Sequence, residues 1–252
     1  MKRVILTGLL IMVIVFGFHS CTEDEFLEPT TVDLKIKMDN PEHFDDTPGQ
    51  GVTPSMEFSE GSFHITGLEF DGKRENNDDY YFFREFEDLI ANLSDNSLNQ
   101  EVTFDIPRGS YNPIKITLHT NQSDSLPGLQ LRGKWKRQMN RPGPGNQGPE
   151  EIPVEFNFFQ DSEALELSLE NEAGEKQIVF DGDNWNTLEI KINLAKLFEH
   201  FNPGMLERAK IQGQGNKQKI IISKDHNNGK EMNFIYSSLE YRVERSIKAV
   251  IK

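Results

Sequence analysis

Cysteine is almost missing from this chain: Cys21 is the only one in 252 residues. An intramolecular disulfide is therefore excluded, as is a zinc site built on cysteine pairs. Tryptophan is scarce too, with two residues against eighteen phenylalanines. Basic residues are outnumbered, 27 Lys and Arg against 41 Asp and Glu, for a formal charge of −14. An acidic excess of that size opposes non-specific attachment to nucleic acid or to anionic lipid heads. No apolar run reaches the roughly 20 residues that a membrane-spanning helix needs. The chain has no G-x-S-x-G, no P-loop, no glycine-rich dinucleotide turn and no HxH or HExxH spacing. The motif-defined hydrolases, NTPases, dehydrogenases and metalloproteases have no footing in it.

What the chain does have begins at its start. Lys2-Arg3 precede the apolar segment Val4–Phe18, and small Ser20 stands before Cys21. This three-part pattern is that of an export signal over residues 1–20, cleaved between Ser20 and Cys21. Phe18-His19-Ser20-Cys21 resembles the lipobox of a bacterial lipoprotein precursor. The resemblance implies a diacylglycerol thioether on the Cys21 sulfur and usually a third chain on the new amine. Two or three acyl chains anchor stably where one binds only marginally. Glu23-Asp24-Glu25 is similar to the surface-export tag of Bacteroidota lipoproteins. Together these imply lipid anchoring at the outer membrane on its outer face, with residues 21–30 as an acidic tether. Asp124-Ser125-Leu126 resembles the short O-glycosylation acceptor of such exported proteins.

Residues 31–252 read as one β domain. Val32, Leu34, Ile36 and Met38 alternate with polar neighbours, as do Val102-Phe104-Ile106, Ile114-Ile116-Leu118 and Leu129-Leu131. The rhythm returns at Ile152-Val154-Phe156-Phe158, Leu165-Leu167-Leu169, Ile178-Phe180, Leu188-Ile190-Ile192-Leu194 and Ile220-Ile222. Such alternation marks half-buried antiparallel strands and predicts an antiparallel β-sandwich with long loops. Gly67 breaks the pattern and predicts a bulge. The Pro/Gly-rich stretch 138–151 reads as a loop, or as the boundary of a subdivision. Leu194, Leu197, Phe198 and Phe201 predict a short helix near 194–202, stopped by Pro203-Gly204. Met232 through Val250 recur at intervals of three and four, which predicts a C-terminal amphipathic helix of about five turns.

Asp105-Ile-Pro107-Arg-Gly109-Ser-Tyr111 resembles the strand-turn-strand element of transthyretin-like β-sandwich lipoproteins, a group without assigned functions. The resemblance implies a fold and a location, not a chemistry. Pro107-Arg108-Gly109 makes a tight reversal, and Tyr111 is expected to pack as a corner with its hydroxyl on backbone.

Three acidic-amide stretches carry calcium-type ligands: Asp71 to Asp79, Asp181 to Asn186 and Asp225 to Glu231. None follows the twelve-residue EF-hand grammar, and hairpin turns use the same residues, so no metal ligand is assigned. No catalytic residue and no cofactor is assigned either. An aromatic ligand platform is the sharper possibility. Tyr80-Tyr81-Phe82-Phe83 lies beside Arg84, and Trp135 sits among Arg132, Lys134 and Lys136, the only basic strand evident in the sequence. Tyr80, Tyr81 and Trp135 are the candidate platform residues. The chain is thus expected to be a non-catalytic binding or accessory module for a glycan or protein partner. A structural subunit of a surface assembly is the competing class, and a hydrolase of unknown type comes third.

Overall fold

Every alternating segment named above forms strand, apart from Val102 and Leu194 at two of their ends, in the computed structural model, which describes residues 28–39, 55–75, 78–120, 126–137, 150–159, 164–182, 186–199, 201–213, 218–224 and 230–252. The export signal, Cys21, Glu23–Glu25, Asp124-Ser125 and the loop 138–149 lie outside these residues. The strands are β1 (Thr30–Asp39), β2 (Ser55–Arg74), β3 (Tyr80–Asn92), β4 (Ser97–Leu98), β5 (Thr103–Ile106), β6 (Gly109–Thr120) and β7 (Leu129–Arg137). They continue as β8 (Glu150–Phe158), β9 (Ala164–Asn171), β10 (Ile178–Phe180), β11 (Asn186–Asn193), β12 (Ile220–Ile222) and β13 (Ile247–Ile251). The fold is mainly β.

The architecture differs from an antiparallel sandwich. All thirteen strands belong to one sheet, whose main path runs β12-β8-β7-β2-β6-β9-β13-β11-β1-β5. Three of its pairs are parallel: β1 with β11, β13 with β9 and β12 with β8. Alternation reports which face a residue takes, and it is blind to strand direction and order. The sheet curls into a half-barrel instead of stacking as two layers. Its open side, between β3 and β5, is spanned by side chains. Arg84 Nη1 donates to the Thr103 carbonyl at 2.5 Å, Tyr80 Oη donates to the Asp105 carbonyl at 3.2 Å, and the Phe82 and Phe104 rings stand 5.1 Å apart.

β2 organises the sheet because it serves two sets of neighbours. Residues 55–63 pair with β7 and residues 65–74 with β6, while 62–72 pair with β3 on the other edge. The register shift at Ile65/Gly67 sits where β7 gives way to β6. A bulge bends a strand and adds local twist, and here it divides the sheet into two lobes. The β6-to-β5 lobe encloses Val32, Ile36, Phe70, Ile116, Leu118 and Ile190, all with at most 1% exposure.

The β7-β8-β12 lobe is covered by two helices, α1 (Leu194–Leu197) and α2 (Lys230–Ser246). Phe58 stacks on Phe198 at 4.8 Å, Phe156 meets Phe198 edge-on at 5.1 Å, and Phe158 stacks on Tyr236 at 6.0 Å. The Asn193 side chain caps α1 by accepting from the Lys196 amide at 2.8 Å. Pro203 does not stop a helix; it opens a 3-10 turn, Pro203–Arg208, where its missing N–H has no partner to lose. The C-terminal helix is also shorter than its periodicity predicts. It ends at Ser246, and Ile247–Ile251 pairs with β11 and β9 as a strand. Ladder hydrogen bonds on both edges outweigh the helical spacing of Ile247 and Val250. Among the described residues no helix is long and apolar enough to cross a membrane.

Candidate ligand-binding face

Four consecutive aromatics on a strand must place two on each face. In β3 the inward pair is Tyr80 and Phe82, which pack on Phe70 at 6.0 and 5.6 Å between ring centroids. The outward pair is Tyr81 and Phe83, with 58% and 50% exposure. Residues two apart on a strand are separated by roughly 7 Å, so the two rings form a short row on one surface.

The neighbours of that row come from β2 and β6. Asp71 is the register partner of Tyr81, and Glu69 that of Phe83. Glu69 in turn pairs with Thr117, and Gly67 with His119. His119 Nε2 lies 2.6 Å from Glu69 Oε1, and its ring meets Phe83 edge-on at 5.5 Å. Further along β6, Lys115 lies opposite Asp71 and binds Glu166 on β9 at 3.3 Å. The face thus combines two exposed ring surfaces with a half-exposed carboxylate–imidazole pair. Such an arrangement can stack a flat apolar surface and offer hydroxyl groups directional hydrogen-bond partners.

Trp135 does not belong to a platform. It is 1% exposed, and its register partners Met56 and Ile152 are buried beside it. Leu129, Leu131, Gly133 and Trp135 share one parity and turn into the core together. Tyr80 is half-buried and directs its hydroxyl to Asp105. The basic strand around Trp135 is not a free positive patch either. Lys134 pairs with Glu151 at 3.0 Å, Lys136 with Glu57 at 2.5 Å, and Arg132 with Glu155 at 3.6 Å.

The strongest electrostatic centre lies elsewhere. Glu189 on β11 is 1% exposed and receives Lys37 at 2.5 Å, Lys252 at 2.9 Å and Lys191 at 3.3 Å. Burial pushes its pKa up, but hydrogen bonds from Lys37, Lys252 and Lys191 outweigh that and hold it at about 2. No sequence spacing announces this group, because Lys37 comes from β1 and Lys252 from the residue after β13, both far from Glu189 along the chain. At the turn, Tyr111 is fully buried and donates from its hydroxyl to the Pro107 carbonyl at 2.7 Å, while Gly109 has a φ of +145°.

Among the described residues no group of three or more His, Cys, Asp or Glu converges as a metal site. The acidic-amide stretches at 71–79 and 181–186 are only partly described, and 225–229 lies outside, as do His43, His200 and His226. Among the described residues, one cleft of about 710 Å³ lies beside β10 and the end of β13, and another of about 600 Å³ between the 3-10 turn and α2. No known protein family, curated protein or solved structure matches the chain.

Proposed function

We propose that this protein is a lipid-anchored binding module of a bacterial outer-membrane surface that holds a glycan on the outer face of β2, β3 and β6. The observation that carries the reading is the exposure of Tyr81 and Phe83 on one surface beside Glu69 and His119. Monomeric proteins rarely leave adjacent large rings in water without a use for them. The anchor rests on the lipobox resemblance at Cys21 and on the acidic residues after it. The resemblance at Pro107, Gly109 and Tyr111 to transthyretin-like lipoproteins is in keeping with it.

The platform is tested with a Y81A/F83A variant run through native gels containing soluble polysaccharides. Wild-type retention by at least one polysaccharide, weakened tenfold or more in the variant with unchanged circular dichroism, supports the reading; tenfold is about 1.4 kcal/mol. Equal retention of both proteins refutes it. The anchor is tested with C21A, which should leave the membrane fraction and lose labelling by a palmitate analogue. A structural subunit is the second reading, favoured by Phe234 and Tyr241, 65% and 64% exposed one heptad apart on α2. That reading requires co-purified partners after mild crosslinking and loss of them in F234A/Y241A.

A further inference from the structure

Where β2 ends, β6 begins and β10 ends, the chain brings together two arginines and two glycines. Arg74 is the register partner of Tyr111, and Gly109 that of Phe180. Arg74 Nη2 donates to the Arg108 carbonyl at 2.6 Å, and its guanidinium carbon stands 5.8 Å from the centre of the Tyr111 ring. The glycines make the room. A Cβ on Gly109 would sit 3.2 Å from both Nε and Nη2 of Arg74, and one on Gly182 would sit 2.0 Å from Arg108 Nε. Both glycines have positive φ, +145° and +82°, so the backbone itself favours the residue that leaves these seats open.

Each of the two guanidiniums leaves one shielded donor over. The Nε of Arg74 and the Nε of Arg108 are each shielded from solvent with no acceptor, and neither arginine forms an ion pair among the described residues. The chain has 41 carboxylates against 27 Lys and Arg, so acids are abundant. Arg132 uses two of them, Glu60 and Glu155. A guanidinium is always charged, and its planar fork of donors matches a carboxylate, phosphate or sulfate two bonds at a time. Two such forks, one seated against Gly109 and the other against Gly182, each with a shielded Nε left over, suit an oxyanion that the protein does not supply. Tyr111 holds the arrangement still, since its buried hydroxyl is tied to Pro107, directly before Arg108.

We propose that Arg74 and Arg108 form an oxyanion-binding site, one that takes a carboxylate, sulfate or phosphate group. The group could be carried on an acidic sugar or arrive as a free inorganic ion. This site stands apart from the aromatic face, because Arg74 has the inward parity of Phe70 whereas Tyr81 points outward.

The test is calorimetric titration of the full chain in detergent with sodium sulfate, sodium phosphate and a glucuronate disaccharide, each against sodium chloride at matched ionic strength. Saturable binding that chloride does not reproduce is expected, weakened at least tenfold in R108M. The G182A variant keeps both charges but fills the seat of the Arg108 guanidinium, and it should weaken binding in the same way. Should R108M fail to fold, R108K decides: it keeps the charge, loses the fork and should also bind at least tenfold more weakly. Inorganic ions binding as well as the disaccharide marks a general oxyanion site. The disaccharide alone marks a sugar carboxylate, and either result supports the proposal. No saturable binding by the wild type, or binding untouched by these variants, overturns it.

Discussion

The Phe83 ring fills the space that a side chain at position 67 would take: a Cβ on Gly67 would stand 2.7 Å from Phe83 Cε2 and 3.0 Å from Cζ. A glycine at a bulge thus seats an aromatic from the neighbouring strand. Gly67→Ala should be nearly neutral for stability. What must move is the far end of a ring, and the stiffer unfolded chain returns about 0.4–1 kcal/mol. Its effect should fall on Phe83, which must swing off the face beside Glu69. Urea midpoints within about 1 kcal/mol of wild type together with clearly weaker glycan retention are expected. A G67A protein retained as strongly as wild type would remove Phe83 from the platform.

Glu189 gives the fold an acid sensitivity of known sign. Its folded pKa of about 2 lies below the ordinary 4.5, because the Lys37, Lys252 and Lys191 ammonium groups overcome its burial. The stabilisation is complete above about pH 4.5 and disappears as the pH falls through about 2. A shift of that size corresponds to roughly 3 kcal/mol. Glu189→Gln should therefore cost about 2–3 kcal/mol at pH 7, where three lysines lose their shared counter-charge, and little at pH 2. Denaturant midpoints of both proteins across that range measure it, and a pH-independent difference contradicts it.

Side-chain parity was legible in the sequence, and strand partners were not. The alternation of Val32 to Met38 and of Ile152 to Phe158 states which residues turn inward, and the structure buries them all. That β1 runs parallel to β11, far along the chain, has no local signal. Parity also held the answer for Trp135, which shares the inward set of Leu129 and Leu131. In β3 parity changes at the register shift beside Ile65/Gly67: Leu89 and Ala91 turn inward, whereas Tyr81 and Phe83, also odd-numbered, turn outward. Glu69 and His119 lie 50 residues apart and join the candidate face only through the β2–β6 ladder. Ile247–Ile251 fits helix and strand equally by spacing, and two waiting sheet edges decided it.

Tyr111 anchors the reversal before β6. Tyr111→Phe keeps the ring against Phe70 and Phe180, 6.1 and 5.5 Å away between centroids, and removes only the hydroxyl bonded to Pro107. A loss of about 1–2 kcal/mol is expected, since the partly buried carbonyl is left without its donor. Burial raises the Tyr111 pKa to about 12; Arg74 lowers it and Tyr80 adds to the rise, both by less. Its folded pKa lies above the ordinary 10, so its contribution is full below about pH 10 and is lost as the pH rises through about 12. The wild type should accordingly lose stability more steeply than Y111F across that alkaline range. Parallel denaturation profiles would show that the hydroxyl is not held neutral by the fold.

Trp135 separates a structural tryptophan from a ligand-binding one by the size of two substitutions. It is 1% exposed, and its Nε1 is buried with no hydrogen-bond partner among the described residues. Trp135→Ala should cost about 3–5 kcal/mol, the range for emptying a large aromatic site in a core. Trp135→Phe should cost far less than its lost volume implies. The smaller ring leaves a gap, but it also removes a buried N–H that nothing accepts, and an unsatisfied donor of that kind costs about 1–3 kcal/mol. The two effects oppose each other, so W135F should fall within about 1 kcal/mol of wild type. Urea unfolding gives both values. A W135F protein as unstable as W135A would mean that the indole N–H has a partner in solution, and a W135A protein of wild-type stability would mean that the ring is not core.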